Sequence, residues 1–151
     1  MLQPGERAPE FHALTTTGVR VDLDAFAGKW LVLYFFPKAF TPGCTAEARR
    51  FRDNFPDIQA LGGEVLGVSH DDHATQCDFA KAVAVTFPLV ADADRKIARA
   101  YGVSRALLPF DKRVTYVIDS QRTVRAVFHH EFQVNKHLDD VLQFLQRNAK
   151  S

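Results

Sequence analysis

The pattern of hydrophobic and polar positions predicts strands that alternate with helices through the middle of the chain. Residues 30–36 form a continuous apolar run, rich in aromatic and β-branched side chains, that ends at Pro37. Such a run is typical of a strand covered on both faces, so we predict a central parallel strand there. Comparable patterns predict further strands at 64–69 and 87–91, and helices at 44–55, 72–83 and 94–101.

The two ends of the chain have patterns of a different kind. Residues 11–21 predict two short strands, and residues 23–28 predict a helical turn closed by glycine. Near the other end, residues 114–128 predict a hairpin, and residues 134–147 predict a helix. Together these elements predict an α/β protein with the thioredoxin-like fold, in which helices flank a mixed central sheet and a β-hairpin lies at the N-terminus.

Length and charge limit the kinds of protein that the chain can be. Its 151 residues are enough for one sizeable core, so we predict a single domain over residues 1–151. The 19 basic and 18 acidic residues are interspersed and give a net charge of +1, which favours neither a nucleic-acid partner nor an anionic membrane. Residues 1–7 show no leader pattern and no apolar run approaches membrane length, so we expect a cytoplasmic location.

The chain contains two cysteines, Cys44 and Cys77. They are too few and too far apart for a disulfide scaffold or a zinc knuckle, so in a reducing compartment they are either buried thiols or redox groups. The segment His70-Asp71-Asp72-His73 has metal-binding residue types, but no third and fourth ligand lies at the usual spacing. We interpret it as a solvated turn and helix cap, and we expect neither a metal nor a cofactor.

The loop between Pro37 and Cys44 has the features of a reaction site. It joins the carboxyl end of the predicted central strand to the start of a helix, where open α/β sheets place their ligands. A cysteine in the first turn of a helix is surrounded by unpaired backbone N–H groups, which favour the nucleophilic thiolate. Thr41 can offer its hydroxyl to a substrate oxygen, and Pro37 and Pro42 restrict the loop.

The order of residues in this loop resembles that of the peroxiredoxins. Pro37-x-x-x-Thr41-x-x-Cys44 is their pattern, and Thr41-Pro42-Gly43-Cys44-Thr45-x-Glu47 is similar to the bacterioferritin comigratory protein (Q) subfamily. Further blocks that resemble this subfamily follow in order at 67–71, 87–92, 101–103 and 113–119, so the resemblance covers nearly the whole chain. It implies a cofactor-free thiol peroxidase that reduces hydrogen peroxide and organic hydroperoxides.

The resemblance also implies a role for each residue of the site. Cys44 would be the peroxidatic cysteine, which attacks peroxide and becomes a sulfenic acid. Thr41 would orient the peroxide, and Pro37 would shield the pocket. Arg113 would stabilise the thiolate and polarise the peroxide, and Glu47 would position Arg113. A guanidinium suits that role because it is always charged and can hold a carboxylate and a second group at once.

The second half of the reaction cycle depends on Cys77. Many members of the subfamily place the resolving cysteine five residues after the peroxidatic one, but Arg49 occupies that position here. Others place it in the following helix, and on that resemblance Cys77 would resolve the Cys44 sulfenic acid as an intramolecular disulfide. Because a disulfide needs Cα atoms within about 7 Å, at least one helix would have to unwind partly. Thioredoxin or a glutaredoxin-like protein would then reduce the disulfide, and the chain would be a monomer or a weak dimer.

Each of these residues also has an ordinary structural interpretation. Either cysteine could be a small buried hydrophobic residue, and Arg113 could be a surface charge. Thr41 could cap the helix, and Glu47 could be a carboxylate favoured at a helix start. A thiol-disulfide oxidoreductase would need a Cys-x-x-Cys motif, and Thr41 replaces its first cysteine. The remaining alternative is a non-catalytic redox sensor or chaperone.

Two apolar features lie near the proposed site in the sequence. Phe40 stands where the subfamily often has a polar residue, and Leu107-Leu108-Pro109-Phe110 precedes Arg113. They either line the pocket or pack against each other. If they stay exposed together, they favour organic hydroperoxides or a partner surface over hydrogen peroxide alone.

Overall fold

A five-stranded mixed sheet lies at the centre of the structure, a computed structural model that describes residues 1–105, 107–108 and 110–148. The strands are β1 (His12–Leu14), β2 (Arg20–Asp22), β3 (Trp30–Phe35), β4 (Gly63–Ser69), β5 (Leu89–Ala91), β6 (Val114–Ile118) and β7 (Val124–His129). The helices are α1 (Pro42–Ala60), α2 (His73–Val83), α3 (Lys96–Ala100) and α4 (Asn135–Asn148), and a short 3-10 helix, Leu23–Phe26, follows β2. Within these residues, no helix is both long enough and apolar enough to cross a membrane.

The strands of the central sheet lie in the order β5-β4-β3-β6-β7. Strands β3, β4 and β5 run parallel, as expected of strands connected through helices, whereas β6 pairs antiparallel with β3 and β7 pairs antiparallel with β6. Strands β1 and β2 form a separate antiparallel hairpin. This arrangement confirms the predicted thioredoxin-like α/β class, while the single-domain boundary over residues 1–151 stays a prediction.

Strand β3 separates the two halves of the core. Because side chains alternate along a strand, Leu33 and Phe35 point into one buried cluster, which also contains residues of α3 and the N-terminal hairpin. Tyr34 points into the other cluster, which contains the inner faces of α1, α2 and α4. Its ring stacks on that of Phe51 in α1, with 4.5 Å between the ring centroids. Cys44 lies two turns before Phe51 on the same face of α1, so its side chain is turned toward the sheet.

Helix α1 is longer than the sequence pattern predicted. It begins at Pro42, where the missing proline N–H has no helical partner to lose, and it continues past Pro56 to Ala60. The prediction that this helix ends at residue 55 was therefore wrong. Pro56 removes one backbone hydrogen bond, but Ile58 in the next turn is fully buried, and that burial offsets the loss.

Helix α3 is shorter than the predicted 94–101. Arg95 has a φ of 60°, in the left-handed region that an α-helix does not allow, so the helix begins only at Lys96. Asp92 accepts the backbone N–H groups of Ile97 and Ala98 at 3.1 and 2.9 Å, which satisfies two donors of the first turn. Asp94 accepts the N–H of Lys96 at 3.1 Å, so both aspartates mark the start of this helix.

Candidate active site

Cys44 lies in the first turn of α1, where the carboxyl end of β3 leads into the helix. Its side chain is only 1% exposed. In the connecting loop, Phe40 has a φ of 68°, and the backbone N–H of Ala39 donates a 2.8 Å hydrogen bond to Oδ2 of Asp71, just after β4. The turn that presents Cys44 is therefore held by a side chain from the neighbouring strand's end.

Arg113 reaches Cys44 from the other neighbouring strand. It immediately precedes β6, whose first residue, Val114, pairs with Phe35 at the end of β3. Its side chain is buried; Nη2 lies 3.5 Å from Sγ of Cys44, and Nη1 donates to Oε1 of Glu47 at 2.9 Å. A cation beside the sulfur favours the reactive thiolate. The structure thus brings together three of the residues singled out from the sequence.

Glu47 is buried against Arg113 rather than exposed at the start of the helix. It lies one turn after Cys44 in α1. Burial raises the pKa of Glu47 to about 8, and Arg113 opposes that shift. Among the described residues, Arg113 is the only hydrogen-bond partner of the Glu47 carboxyl group. It binds Oε1, and Oε2 has no partner. The orientations of Glu47 and Arg113 are therefore coupled.

Glu131, which was not predicted from the sequence, also holds Arg113. Its backbone carbonyl accepts from Nε of Arg113 at 3.1 Å, and its Oε1 accepts from the Arg113 backbone N–H at 3.3 Å. The same oxygen contacts Arg105 at 2.5 Å and His129 at 2.7 Å. Glu131 follows β7, whose last residue, His129, pairs with Val114. The register of the predicted hairpin is the signal that could have placed Glu131 beside Arg113.

Thr41 precedes α1 but does not cap it. Its hydroxyl donates a 2.8 Å hydrogen bond to the carbonyl oxygen of Lys38, and it makes no bond to the first-turn N–H groups. The lone pairs of Oγ1 are left to accept a hydrogen bond from a substrate. The hydroxyl was expected to help hold a substrate oxygen, and in this geometry it would do so as an acceptor from an O–H group.

A cavity of about 490 Å³ opens over Arg113. Its wall is largely apolar and includes Pro37, Leu108, Phe110, Phe132 and Val134. Part of the segment 107–110 therefore lines the pocket, while Pro109 lies outside the described residues. Phe40 does not line this cavity; its ring packs on that of Phe79, with 5.3 Å between the centroids.

Comparisons with known proteins identify the family. A family model described as the AhpC/TSA family matches residues 4–127. The chain belongs to this family. Among curated relatives, the chloroplastic peroxiredoxin Q of Gentiana triflora is 39% identical over 143 residues, which cover 94% of this chain and 66% of that protein. The chain thus spans about two thirds of that relative's length.

Solved structures agree with this assignment. The peroxidoxin BcpB of Mycobacterium tuberculosis matches with a TM-score of 0.91 at 34% identity, covering 98% of this chain and 99% of that chain. The bacterioferritin comigratory protein of Xanthomonas campestris, a structure concerned with that protein's alkyl peroxide reduction activity, matches with a TM-score of 0.84 at 31% identity over 92% of each chain. The resemblance to the Q-type peroxiredoxins is confirmed.

Both thiols of the chain are free, and they lie in different surroundings. Cys77 is half-buried in α2, and its Sγ lies 3.4 Å from Nε2 of His73, one turn earlier. It lines a groove together with Thr16 of the N-terminal hairpin loop and Lys81. The structure therefore does not bring Cys77 into the site around Cys44, and its role as resolving cysteine stays a prediction.

The segment 70–73 serves as a turn and a helix cap. Oδ1 of Asp72 accepts the backbone N–H of Thr75 at 2.8 Å and caps α2, which confirms the cap predicted from the sequence. Oδ2 of Asp71 accepts the hydroxyl of Ser69 at 2.6 Å as well as the N–H of Ala39. In the described part of the chain, no group of three or more His, Cys, Asp or Glu side chains is arranged to hold a metal ion.

Proposed function

We propose that the chain is a thiol-dependent peroxidase, an oxidoreductase in which the Cys44 thiolate attacks a peroxide. The sulfur bonds to one peroxide oxygen as the O–O bond breaks. Cys44 becomes a sulfenic acid, and the other oxygen leaves as water or an alcohol after it takes up a proton. The observation that most supports this is the position of Arg113, which contacts Sγ at 3.5 Å with Nη2 while Glu47 binds Nη1.

Arg113 and Thr41 have complementary roles in this step. The guanidinium stabilises the thiolate before attack and the negative charge that develops on the leaving oxygen during attack. Oγ1 of Thr41, whose proton is engaged by Lys38, accepts the hydrogen of the peroxide O–H group. Pro37 lines the cavity and reduces the access of water to the sulfur. The peroxide is then held at both ends with its O–O bond toward Cys44.

The substrates we propose are hydrogen peroxide and organic hydroperoxides. Phe110, Phe132 and Leu108 give the cavity an apolar wall that can contact an alkyl or aryl group. Phe132 is almost fully exposed, at 96%, and Leu108 is 46% exposed, so both have surface to bury against a substrate. The alkyl peroxide reduction reported for the Xanthomonas protein supports the same substrate class here.

Cys77 is proposed as the resolving cysteine. Its thiol attacks the sulfenic sulfur of Cys44, the S–O bond breaks, and a disulfide and one water molecule form. His73, 3.4 Å from Sγ of Cys77, is placed to accept the thiol proton. Because Cys44 is buried and Cys77 lines a separate groove, the first turn of α1 or the segment around Cys77 must unwind for the two sulfurs to meet.

The proposed cycle ends when an external dithiol reduces the disulfide. The family implies a thioredoxin-type reductant, and we propose a glutaredoxin-like protein as the alternative reductant to test. The monomeric or weakly dimeric state, the cytoplasmic location and the absence of nucleic-acid and membrane partners stay predictions.

Intact-mass and peptide mass spectrometry test the proposal directly. Reduced protein is mixed with one equivalent of hydrogen peroxide and quenched at intervals from milliseconds to seconds. We expect a rapid loss of two hydrogens and a crosslink between Cys44 and Cys77. The Cys77→Ser variant should instead retain one oxygen on Cys44, and the Cys44→Ser variant should not react. A wild-type protein whose Cys44 stays reduced would refute the peroxidase assignment.

Turnover separates this proposal from a non-catalytic redox sensor or chaperone, which the comparisons do not support. A peroxidase consumes peroxide repeatedly when thioredoxin, its reductase and NADPH are supplied. A sensor would be oxidised once and would then consume no further peroxide. Sustained NADPH oxidation that requires Cys44 therefore supports the enzyme, and a single stoichiometric burst with both the thioredoxin and the glutaredoxin systems contradicts it.

A further inference from the structure

His137 in α4 is a buried histidine that the mechanism above does not use. Its side chain is fully buried, with 0% exposure. The hydroxyl of Thr115 lies 2.8 Å from Nδ1, and the backbone carbonyl of His130 lies 2.8 Å from Nε2. Thr115 belongs to β6, two residues after Arg113, so the ring lies between α4 and the strand that begins at the active site.

These two contacts determine which nitrogen of His137 has the proton. A backbone carbonyl can only accept, so Nε2 donates to His130 and Nδ1 accepts the hydroxyl of Thr115. Burial lowers the pKa of His137 to about 4, so the ring is neutral at physiological pH. His137 is therefore a fixed, uncharged N–H donor.

The ring of His137 packs beside the unpaired oxygen of Glu47. Nε2 of His137 lies 3.7 Å from Oε2 of Glu47, while Oε1 of the same carboxyl group accepts from Arg113. No described residue forms a hydrogen bond to Oε2. A continuous series of contacts thus runs from His137 through Glu47 and Arg113 to the sulfur of Cys44.

We propose that His137 is a positioning residue for Cys44 oxidation, which keeps the Glu47 carboxyl group turned so that Oε1 faces Arg113. This inference rests on the proposed peroxidase function. The ring, held in place by Thr115 and His130, occupies the space beside Oε2 at 3.7 Å. Without the ring, the carboxyl group can rotate, and Arg113 loses one of the two hydrogen bonds, to Glu47 and to the Glu131 carbonyl, that hold its guanidinium beside the sulfur. Cys44 then has a less well-placed cation, and more of it remains in the unreactive thiol form.

Several other titratable groups surround Glu47 and Cys44, and each has its own partner or position. Glu131, after β7, is tied to Arg113, Arg105 and His129. Tyr34, on β3, is buried, and burial together with Glu47 and Cys44 raises its pKa, so it is neutral at physiological pH. His130 is paired with Asp140 at 2.7 Å. Among these described groups, His137 is the one in contact with Oε2, at 3.7 Å.

The test is the pH profile of the rate constant for Cys44 oxidation by hydrogen peroxide, measured by stopped flow. We expect His137→Leu to be about tenfold slower near neutral pH and its profile to move to higher pH, because the cation beside the sulfur is displaced. His137→Gln keeps an N–H donor near the position of Nε2 and should retain most of the rate. Leu138→Ala is the control, because it creates a cavity beside His137 in the same helix but removes no polar group.

The outcomes separate this inference from the function on which it rests. An alkaline shift in His137→Leu, absent in Leu138→Ala and largely rescued in His137→Gln, supports the positioning role. A wild-type profile in His137→Leu, with only a lower melting temperature, overturns it while the peroxidase assignment stands. A wild-type protein that shows no rapid Cys44 oxidation overturns both.

Discussion

Gly43 faces the guanidinium of Arg113 so closely that a methyl group on its Cα would lie 3.2 Å from Nη2. That distance is shorter than a relaxed contact, so Arg113 would have to move away from the residue that directly precedes Cys44. The absence of a side chain at position 43 therefore allows the 3.5 Å contact between Nη2 and the sulfur.

Gly43→Ala should slow Cys44 oxidation without unfolding the protein. Alanine favours the helix by about 1 kcal/mol over glycine, so the melting temperature should be unchanged or higher. The displaced guanidinium should lower the rate constant with hydrogen peroxide by about tenfold, because the thiolate loses part of its stabilisation. Stopped-flow kinetics and thermal unfolding of the same preparation check both effects. A variant as fast as wild type would mean that Arg113 can shift without lowering the rate constant of Cys44 oxidation.

Thr41 should contribute through its oxygen rather than through its bulk. Thr41→Val keeps the shape but removes the acceptor for the peroxide O–H and the bond to Lys38, so we expect the oxidation rate to fall roughly a hundredfold. Thr41→Ser keeps the hydroxyl and should lie within a few-fold of wild type. The alternative is that Thr41 acts mainly to begin α1; Thr41→Val would then lose thermal stability while its rate stayed near that of wild type.

Asp111, two residues before Arg113, should make the protein less stable as pH rises. Its side chain is fully buried, and neither carboxylate oxygen has a hydrogen-bond partner among the described residues. Burial raises its pKa from 3.8 to about 6, so the folded state favours the protonated acid. Its contribution to stability is complete below the ordinary pKa and is lost as pH rises through about 6.

The Asp111→Asn variant removes this pH dependence. The free energy of unfolding of wild type, relative to the variant, should fall by up to about 3 kcal/mol between pH 4 and pH 8. Urea unfolding at several pH values measures the difference, and Asp78→Asn, at an exposed position of α2, provides the control. If the difference in unfolding free energy between wild type and variant does not change with pH, folding does not alter the ionisation of Asp111.

Phe132 should affect large substrates more than small ones. It is 96% exposed and lines the cavity over Arg113, so an aryl or alkyl group can bury part of its ring. Losing that contact in Phe132→Ser should cost about 1 kcal/mol, or roughly fivefold in the rate constant for cumene hydroperoxide. The rate with hydrogen peroxide should hardly change. Val19→Ser, at another exposed apolar position outside the cavity, should alter neither rate.

The sequence predicted those parts of the site that are close together in the chain. Cys44, Thr41 and Pro37 lie within eight residues of each other where β3 leads into α1, and local rules for such junctions are enough to single them out. Arg113 was found only through a family resemblance, because its proximity to Cys44 depends on the antiparallel pairing of β3 with β6. Periodicity alone does not reveal which strands pair.

Glu131 and His137 were missed for the same physical reason. Glu131 joins the site through the register of β7 against β6, and His137 joins it through the packing of α4 on that sheet. Both have residue types that are commonly solvated, and nothing near them in the chain marks them as buried. The end of α1 was missed because Pro56 normally ends a helix, whereas here the buried side chain of Ile58 favours its continuation.

The start of α1 has a consequence for the amount of peroxide that the proposed enzyme can survive. Pro42 restricts the backbone where the helix begins, which makes the first turn harder to unwind. While that turn and the segment around Cys77 both stay folded after the first oxidation, Cys77 cannot reach the sulfenic acid, but a second peroxide can enter the cavity. The balance between unwinding and a second attack sets the peroxide concentration at which Cys44 is irreversibly oxidised. A less restricted residue at position 42 would raise that concentration.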